Sequence, residues 1–285
     1  SRAAATSAAD DFQALALHQQ GQIQAAMPLY ERVLKRNPGH FDALHLGGLL
    51  LHQSGQSALG ADWMRRALRI NPASAVAHHN LALALLALNE PAAALAACEA
   101  AIARRSDYAN AHRCRGDALQ QLGRHAEAVD SYTQALNLQP QDTQAWFNRG
   151  NALWRLGQLA QALGSYDAAL GQGPCGAELW TARGRVQGLL GRPEEAAQSY
   201  QQAVRLRPDD VASWRALGRT LSGLEQHAPA LEALERALAL DGDTEERMSL
   251  GLYRLHLGDL PRGWADQKAR RRLPVHTALL TRFDQ

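Results

Sequence analysis

Five prolines, Pro38, Pro72, Pro140, Pro174 and Pro208, stand at gaps of 34, 68, 34 and 34 residues. A single 34-residue lattice holds all five, with Ser106 in the skipped slot and Gly242 in the slot after Pro208. Other residues keep the same period. Gly48, Gly116, Gly150, Gly184 and Gly218 form one register, with Ala14 and Ala82 as small substitutes. Gly21, Gly55, Gly123, Gly157 and Gly191 form a second, and Ala26, Ala94, Ala128, Ala162, Ala196 and Ala230 a third. Tyr30, Tyr132, Tyr166 and Tyr200 form a fourth, replaced by Met64, Cys98 and Leu234, and Trp146, Trp180 and Trp214 form a fifth. A period of this length marks stacked repeats, because one short supersecondary unit can bury its apolar face only against its neighbours.

Each repeat reads as a helix, a tight turn at the second glycine, a second helix and a proline-marked turn. The stretch "ALNLQPQDTQAW" shows the junction: Pro140 cannot continue the helix before it, and Asp142 is placed to cap the next. Asp210 and Ser74 hold the equivalent place. Hydrophobic residues make up 46% of the chain but aromatic ones only 6%, which favours helices packed closely through small side chains. Few stretches alternate apolar and polar residues, so strands have little support. The expected fold is all-α: a right-handed superhelical solenoid of antiparallel helix pairs. Seven units are predicted at 7–40, 41–74, 75–108, 109–142, 143–176, 177–210 and 211–244. Residues 1–6 are read as disordered or left over from processing, and 245–285 as a degenerate eighth unit with capping helices and a tail. The pattern slips by one residue after Gly242, and the expected capping helices are Glu245–His256 and Pro261–Arg272. The first glycine and the alanine of each repeat are placed where two helices cross, and Tyr and Trp where neighbouring repeats meet.

The lattice resembles the tetratricopeptide repeat, W-x2-L-G-x2-Y…A-x3-F…P. Between Ala145 and Pro174 the match is Trp146, Gly150, Leu153, Ala162, Tyr166 and Pro174, with Arg149 where the pattern has leucine. The resemblance spans residues 7 to 244 and implies a binding groove lined by the first helix of each repeat. Near the end, "LGLYRLHLGDLPRGWADQKARR" resembles a junction in large bacterial proteins of this family that lead into glycosyltransferase-like domains. Gly258, Asp259, Gly263, Trp264 and Arg270 match, whereas Gln267, Lys268 and Arg271 replace the Tyr, Glu and Trp. That resemblance implies a substrate-recruiting region of such an enzyme as an alternative function.

On the expected groove face the candidate peptide-binding residues are Asn80, Arg113, Asp117, Phe147, Asn148, Asn151, Trp154, Arg155, Arg185, Arg215 and Arg219. His45, Leu49, His52, His79 and Leu83 share the face in the early repeats. Asparagine donates and accepts at once, which suits an extended peptide backbone, and arginine offers a fork for a carboxylate. Asn80 and Asn148 fall in the slot of the asparagine ladder of O-linked N-acetylglucosamine transferases, but Phe12, Leu46, Cys114, Ala182 and Ala216 interrupt it. Arg115, Arg149 and Arg183 recur where the pattern wants leucine, which predicts a structural role: stems packed between helices, heads reaching out.

No catalytic arrangement stands apart from the lattice. His78, His79, His112 and Cys114 invite a metal, but His78 and His112 occupy the tryptophan slot, so neither metal nor other cofactor is expected. The glycines of "GRVQGLLGR" belong to the lattice and lack the Gly-Lys-Ser/Thr ending of a phosphate loop. The net charge of +2 is too balanced to imply nucleic acid by itself, because phosphate binding needs a concentrated basic surface, and none is expected as a partner. The basic run Arg262, Lys268, Arg270, Arg271 and Arg272 faces only Asp266, as a solvated helix or a patch for an acidic partner. No apolar run approaches membrane-spanning length. Cys98, Cys114 and Cys175 show no C-x-x-C spacing and fit a reducing compartment, hence the cytoplasm, with export open if a signal has been removed. The functional expectation is a non-catalytic scaffold binding a protein or peptide partner, acidic in the basic later repeats. Self-assembly into homo-oligomers is a further alternative.

Overall fold

The computed structural model describes residues 12–241 and 244–267, and the chain divides into two compact units after Gln158. The described residues are helices and short turns, with no strand among them. The first unit contains α1 (residues 12–19), α2 (Ile23–Arg36), α3 (Phe41–Gln53), α4 (Ser57–Ile70), α5 (Ala75–Ala87), α6 (Pro91–Arg104), α7 (Ala109–Gln121), α8 (His125–Leu138) and α9 (Thr143–Arg155). Odd-numbered helices are the first, or A, helices of each repeat, and even-numbered ones are the B helices. Short turns make each A and B helix antiparallel. Those turns need a left-handed residue, supplied by Gly21, Gly55 and Gly123 at φ +72°, +87° and +73°. In the third pair Asn89 takes the same slot at φ 57°, the non-glycine residue best suited to it.

Side chains hold the turns between repeats as well. Ser74 Oγ accepts from Ala77 N at 3.2 Å and Asp142 Oδ1 from Ala145 N at 3.0 Å, capping α5 and α9. The tryptophan slot has a second function beside packing. Trp146 Nε1 donates to the carbonyl of Pro140, six residues back, at 2.9 Å. His78 and His112 reproduce that bond from Nε2 to Pro72 and Ser106, at 3.1 and 2.8 Å. Because a carbonyl only accepts, each histidine must carry its proton on Nε2.

The lattice glycine lies against the lattice tyrosine sixteen residues on. A Cβ at Gly116 would stand 2.5 Å from Tyr132 Cε1, and one at Gly48 would stand 3.0 Å from Met64 Cγ and 2.9 Å from the Gly60 carbonyl. The core runs along this line, through buried Ala61, Met64, Ala94, Cys98, Cys114, Ala128 and Tyr132. Within this unit α3 touches α5, α5 touches α7 and α7 touches α9. The A helices are thus the close-packed side, and a groove of about 390 Å³ opens between the B helices α6 and α8 over α7.

The second unit contains α10 (Leu159–Gly171), α11 (Ala177–Leu189), α12 (Pro193–Leu206), α13 (Val211–Gly223), α14 (His227–Asp241), α15 (Thr244–His256) and α16 (Leu260–Gln267). The same rules hold. A Cβ at Gly184 would meet Tyr200 Cε1 at 2.9 Å, and one at Gly218 would meet Leu234 Cγ at 2.6 Å. Trp214 Nε1 donates to the Pro208 carbonyl at 2.9 Å. Asp210 differs from Asp142: its side chain does not cap α13 but accepts from Ser213 Oγ, whose hydroxyl also meets Thr181 at 2.7 Å. The left-handed residues in the turns inside the helix pairs are Gly191 at φ +72°, Glu225 at φ 58° and Gly258 at φ +83°. The α15–α16 pair crosses through Gly251 and Gly263, and Arg254 ties it to α14 by pairing with both Asp266 (2.5 Å) and Glu235. Gly242 and the run Lys268 to Arg272 lie outside the described residues.

Candidate peptide-binding surface

In the first unit the A helices bring several predicted residues into one polar network. Asp117 on α7 is its centre. Tyr132 Oη donates to Asp117 Oδ1 at 2.8 Å, and Asn148 Nδ2 on α9 donates to the same oxygen at 2.8 Å. Tyr132 Oη also lies 3.2 Å from Gln120 Oε1, and Gln144 Nε2 donates to Asn148 Oδ1 at 2.8 Å. Burial pushes the Asp117 carboxyl above its ordinary value, because desolvation outweighs the hydrogen bonds and the nearby Arg113 guanidinium, which favour the charged form. Arg113 is paired in turn: its Nε lies 3.1 Å from Asp142 Oδ2. Asp142 therefore caps α9 with one oxygen and holds Arg113 with the other.

This geometry alters the expected roles. Asn148 has one N–H and one acceptor position already committed inside the chain, and Arg113 is partnered, so both position α9 against α7. Asn80 departs further from expectation. It is 7% exposed, and its Nδ2 donates to His45 Nε2 at 2.9 Å. Both are buried between α3 and α5 rather than open on a groove, and burial, opposed by Asp42, holds His45 below the usual imidazole range. His79 is buried too and stacks edge-on against Tyr108, ring centroids 5.1 Å apart. The lattice places these residues on α3 and α5 but cannot show that neighbouring A helices close over them.

On α9, Phe147, Asn151 and Trp154 are half-buried and Arg155 is exposed, its guanidinium 4.7 Å from the Trp154 ring centre. In the second unit Arg185 and Arg219 are exposed, and Arg215 is half-buried and pairs with Asp241 at 3.3 Å. Arg219 lines a groove of about 380 Å³ together with Ser222, Leu234, Leu252, Tyr253 and His256. Leu252, Tyr253 and His256 line this groove without having been among the residues expected from the sequence. They belong to α15, where the one-residue slip hides their equivalence to the A-helix positions of earlier repeats.

The recurrent arginines are structural. Arg115 Nη1 donates to Ser131 Oγ at 2.5 Å, and its Nε lies 3.5 Å from Glu99. Arg183 donates to Ser199 Oγ at 2.8 Å and to Asp167 at 2.7 Å, and Arg149 donates to Thr133 Oγ1 at 3.0 Å. Each guanidinium thus reaches a partner sixteen residues away on a B helix. Arg115 and Arg183 line equivalent grooves beside B helices, the second of about 510 Å³. Among the described residues no helix is long and apolar enough to cross a membrane.

Comparison with known proteins agrees with the repeat fold. Solved structures share the fold at low identity. The pilF protein of Pseudomonas aeruginosa is 18% identical, with 73% of this chain and 94% of that one covered and a TM-score of 0.65. YrrB, described as a TPR protein with an unusual peptide-binding site, is 24% identical over 70% of this chain and all of its own, with a TM-score of 0.57. MamA is 24% identical over 55% of this chain and 91% of its own, with a TM-score of 0.51. No curated protein matches the chain. Family models described as tetratricopeptide repeat match residues 13–75, 79–143, 114–177, 177–210 and 211–244. With most of its length matched, the chain belongs to the tetratricopeptide-repeat family.

Proposed function

We propose that the protein is a non-catalytic scaffold that binds an extended peptide or partner helix on its A-helix surfaces. The observation that carries this reading is the spacing on α9 of Phe147, Asn151, Trp154 and Arg155, which puts aromatic area, an amide and a cation along one helix, with Arg155 exposed over the Trp154 ring. Such groups recognise peptides through stacking, backbone hydrogen bonds and carboxylate pairing. The Asp117–Asn148 network beneath them fixes α9 on α7, so the surface is rigid before a ligand arrives, which lowers the entropic cost of binding. In the second unit Arg185, Arg215 and Arg219 favour an acidic ligand, and the Arg219 groove offers a place for one side chain. YrrB is a tetratricopeptide-repeat protein whose description names a peptide-binding site, which supports peptide binding by a stack of this kind.

A peptide array probed with the purified protein tests this. Acidic peptides with interspersed apolar residues should be retained, and Trp154→Ala with Arg155→Ala should weaken the best of them at least tenfold. Retention that is indifferent to this pair and to Arg219→Ala would refute the reading.

A further inference from the structure

The tyrosine slot of the third repeat holds Cys98 on α6, and sixteen residues on, α7 carries Cys114. That offset is the one at which a B helix meets the next A helix throughout the stack. Glu99 and Arg115, one residue along, form an ion pair at 3.5 Å, and Thr133 with Arg149 repeats the offset at 3.0 Å. One repeat later the positions equivalent to the cysteines are Tyr132 and Asn148, which share Asp117 Oδ1 as acceptor. A cysteine in place of the tyrosine puts two small side chains at this offset on the contacting helices α6 and α7. Both are free thiols, buried in the same core cluster. The neighbouring Cys98 thiol and His79 lower the Cys114 thiol against the opposing effect of burial, while Cys114 and burial push Cys98 up. Among the described residues no three His, Cys, Asp or Glu side chains are arranged to hold a metal ion, so the chemistry open to the pair is that of two thiols.

We propose that Cys98 and Cys114 form a dithiol site that hydrogen peroxide converts to an intramolecular disulfide, tying the third helix pair to the fourth. The Cys114 sulfur, as the better nucleophile, attacks one peroxide oxygen. The O–O bond breaks, Cys114 becomes a sulfenic acid, and the released hydroxide leaves as water with the Cys114 proton. The Cys98 sulfur then attacks the sulfenic sulfur. The S–O bond breaks, the S–S bond forms, and the second hydroxide leaves as water with the Cys98 proton. Two thiols and one peroxide give one disulfide and two waters, with both sulfurs oxidised and both peroxide oxygens reduced. Because both thiols are buried, peroxide reaches them during local openings of the α6–α7 contact, which makes the reaction slow in the folded protein. The site is independent of what occupies the A-helix surfaces.

The test uses the full chain carrying Cys175→Ser, which removes the half-buried third thiol. The folded protein is treated with peroxide, quenched with catalase, alkylated in denaturant and digested with trypsin. Arg104, Arg105 and Arg113 separate the two cysteines, so a disulfide appears as a linked peptide pair that dithiothreitol splits. The expected result is that linked pair, with a rise in Tm that reductant reverses. Cys114→Ala, which installs the residue found at the equivalent positions 182 and 216, should keep the helical spectrum and abolish both the link and the Tm rise. Failure to find the link in folded protein, its appearance only in denaturant, or oxidation to sulfinic and sulfonic acids alone would overturn the proposal.

Discussion

Substituting alanine at three helical glycines gives a graded test of how the repeats are packed. An added Cβ at Gly116 would stand 2.5 Å from Tyr132 Cε1 and 2.7 Å from Cδ1. Carbon atoms in contact sit at about 3.5 Å or more, so the shortfall is about 1 Å. The Tyr132 ring cannot easily retreat, since it is 0% exposed and its hydroxyl is bound to Asp117. At Gly184 the nearest atom is Tyr200 Cε1 at 2.9 Å, about 0.6 Å short of contact. At Gly188, one turn further along α11, nothing lies within 4 Å. Overpacking a core costs about 1–3 kcal/mol, whereas alanine gains up to about 1 kcal/mol over glycine in a helix. Gly116→Ala should therefore lose up to about 2 kcal/mol net, Gly184→Ala should fall near neutral, and Gly188→Ala should gain up to about 1 kcal/mol. Urea unfolding followed by helical circular dichroism measures this, with several probes because repeat arrays need not unfold in one step. The third repeat suggests a rescue: it pairs Ala82 with Cys98 at the same slots. Adding Tyr132→Cys to Gly116→Ala should cost less than the sum of the two changes. Equal stabilities for all three alanine variants, or full additivity in the double variant, would refute the claim that glycine and tyrosine fit each other across the helix pair.

The raised Asp117 pKa has a definite sign: the folded state favours the protonated acid, so ionisation opposes folding as pH rises through and above the ordinary carboxylate range. Asp117→Asn keeps an oxygen to accept from Tyr132 and Asn148, so its Tm relative to the parent should be more favourable at pH 7 than at pH 4, and a pH-independent difference would contradict this. Burial lowers the pKa values of His45, His52 and His78. The unfolded chain then takes up more protons just below the ordinary imidazole value of about 6.5, and stability present above that value is lost as pH falls. In the Asp117→Asn background, where the opposing carboxylate effect is gone, the urea midpoint should drop between pH 7.5 and pH 5.5. Trp146→Phe keeps the ring but loses the bond to the Pro140 carbonyl, and should cost about 0.5–1.5 kcal/mol in the same assay.

The 34-residue lattice made the helix pairs legible because packing two helices per repeat forces small residues at their crossings and a breaker at each turn. Where the residue type changed but the physics did not, the pattern was harder to read. Asn89 and Glu225 sit in left-handed turn slots without being glycine, and His78 and His112 make the tryptophan's hydrogen bond with a different ring. The arginines before the first glycine were readable as structural from their recurrence alone. The surface was less legible. Periodicity assigns a residue to an A helix, but exposure depends on how closely the next A helix approaches. That is why Asn80 and His45 end up buried together, and why Asn148 holds Asp117 within the chain. The one-residue slip after Gly242 concealed Leu252, Tyr253 and His256, which line the Arg219 groove.

If ligand binds on the A-helix side, the grooves beside the B helices stay empty. Fluorescence anisotropy with the best peptide from the array decides between them, measured on the parent, on Trp154→Ala with Arg155→Ala, and on Gln134→Ala with Gln198→Ala in the two B-helix grooves. Binding on the A-helix side gives at least tenfold weaker binding for the A-helix pair and unchanged binding for the B-helix pair. Loss confined to the B-helix pair would contradict it.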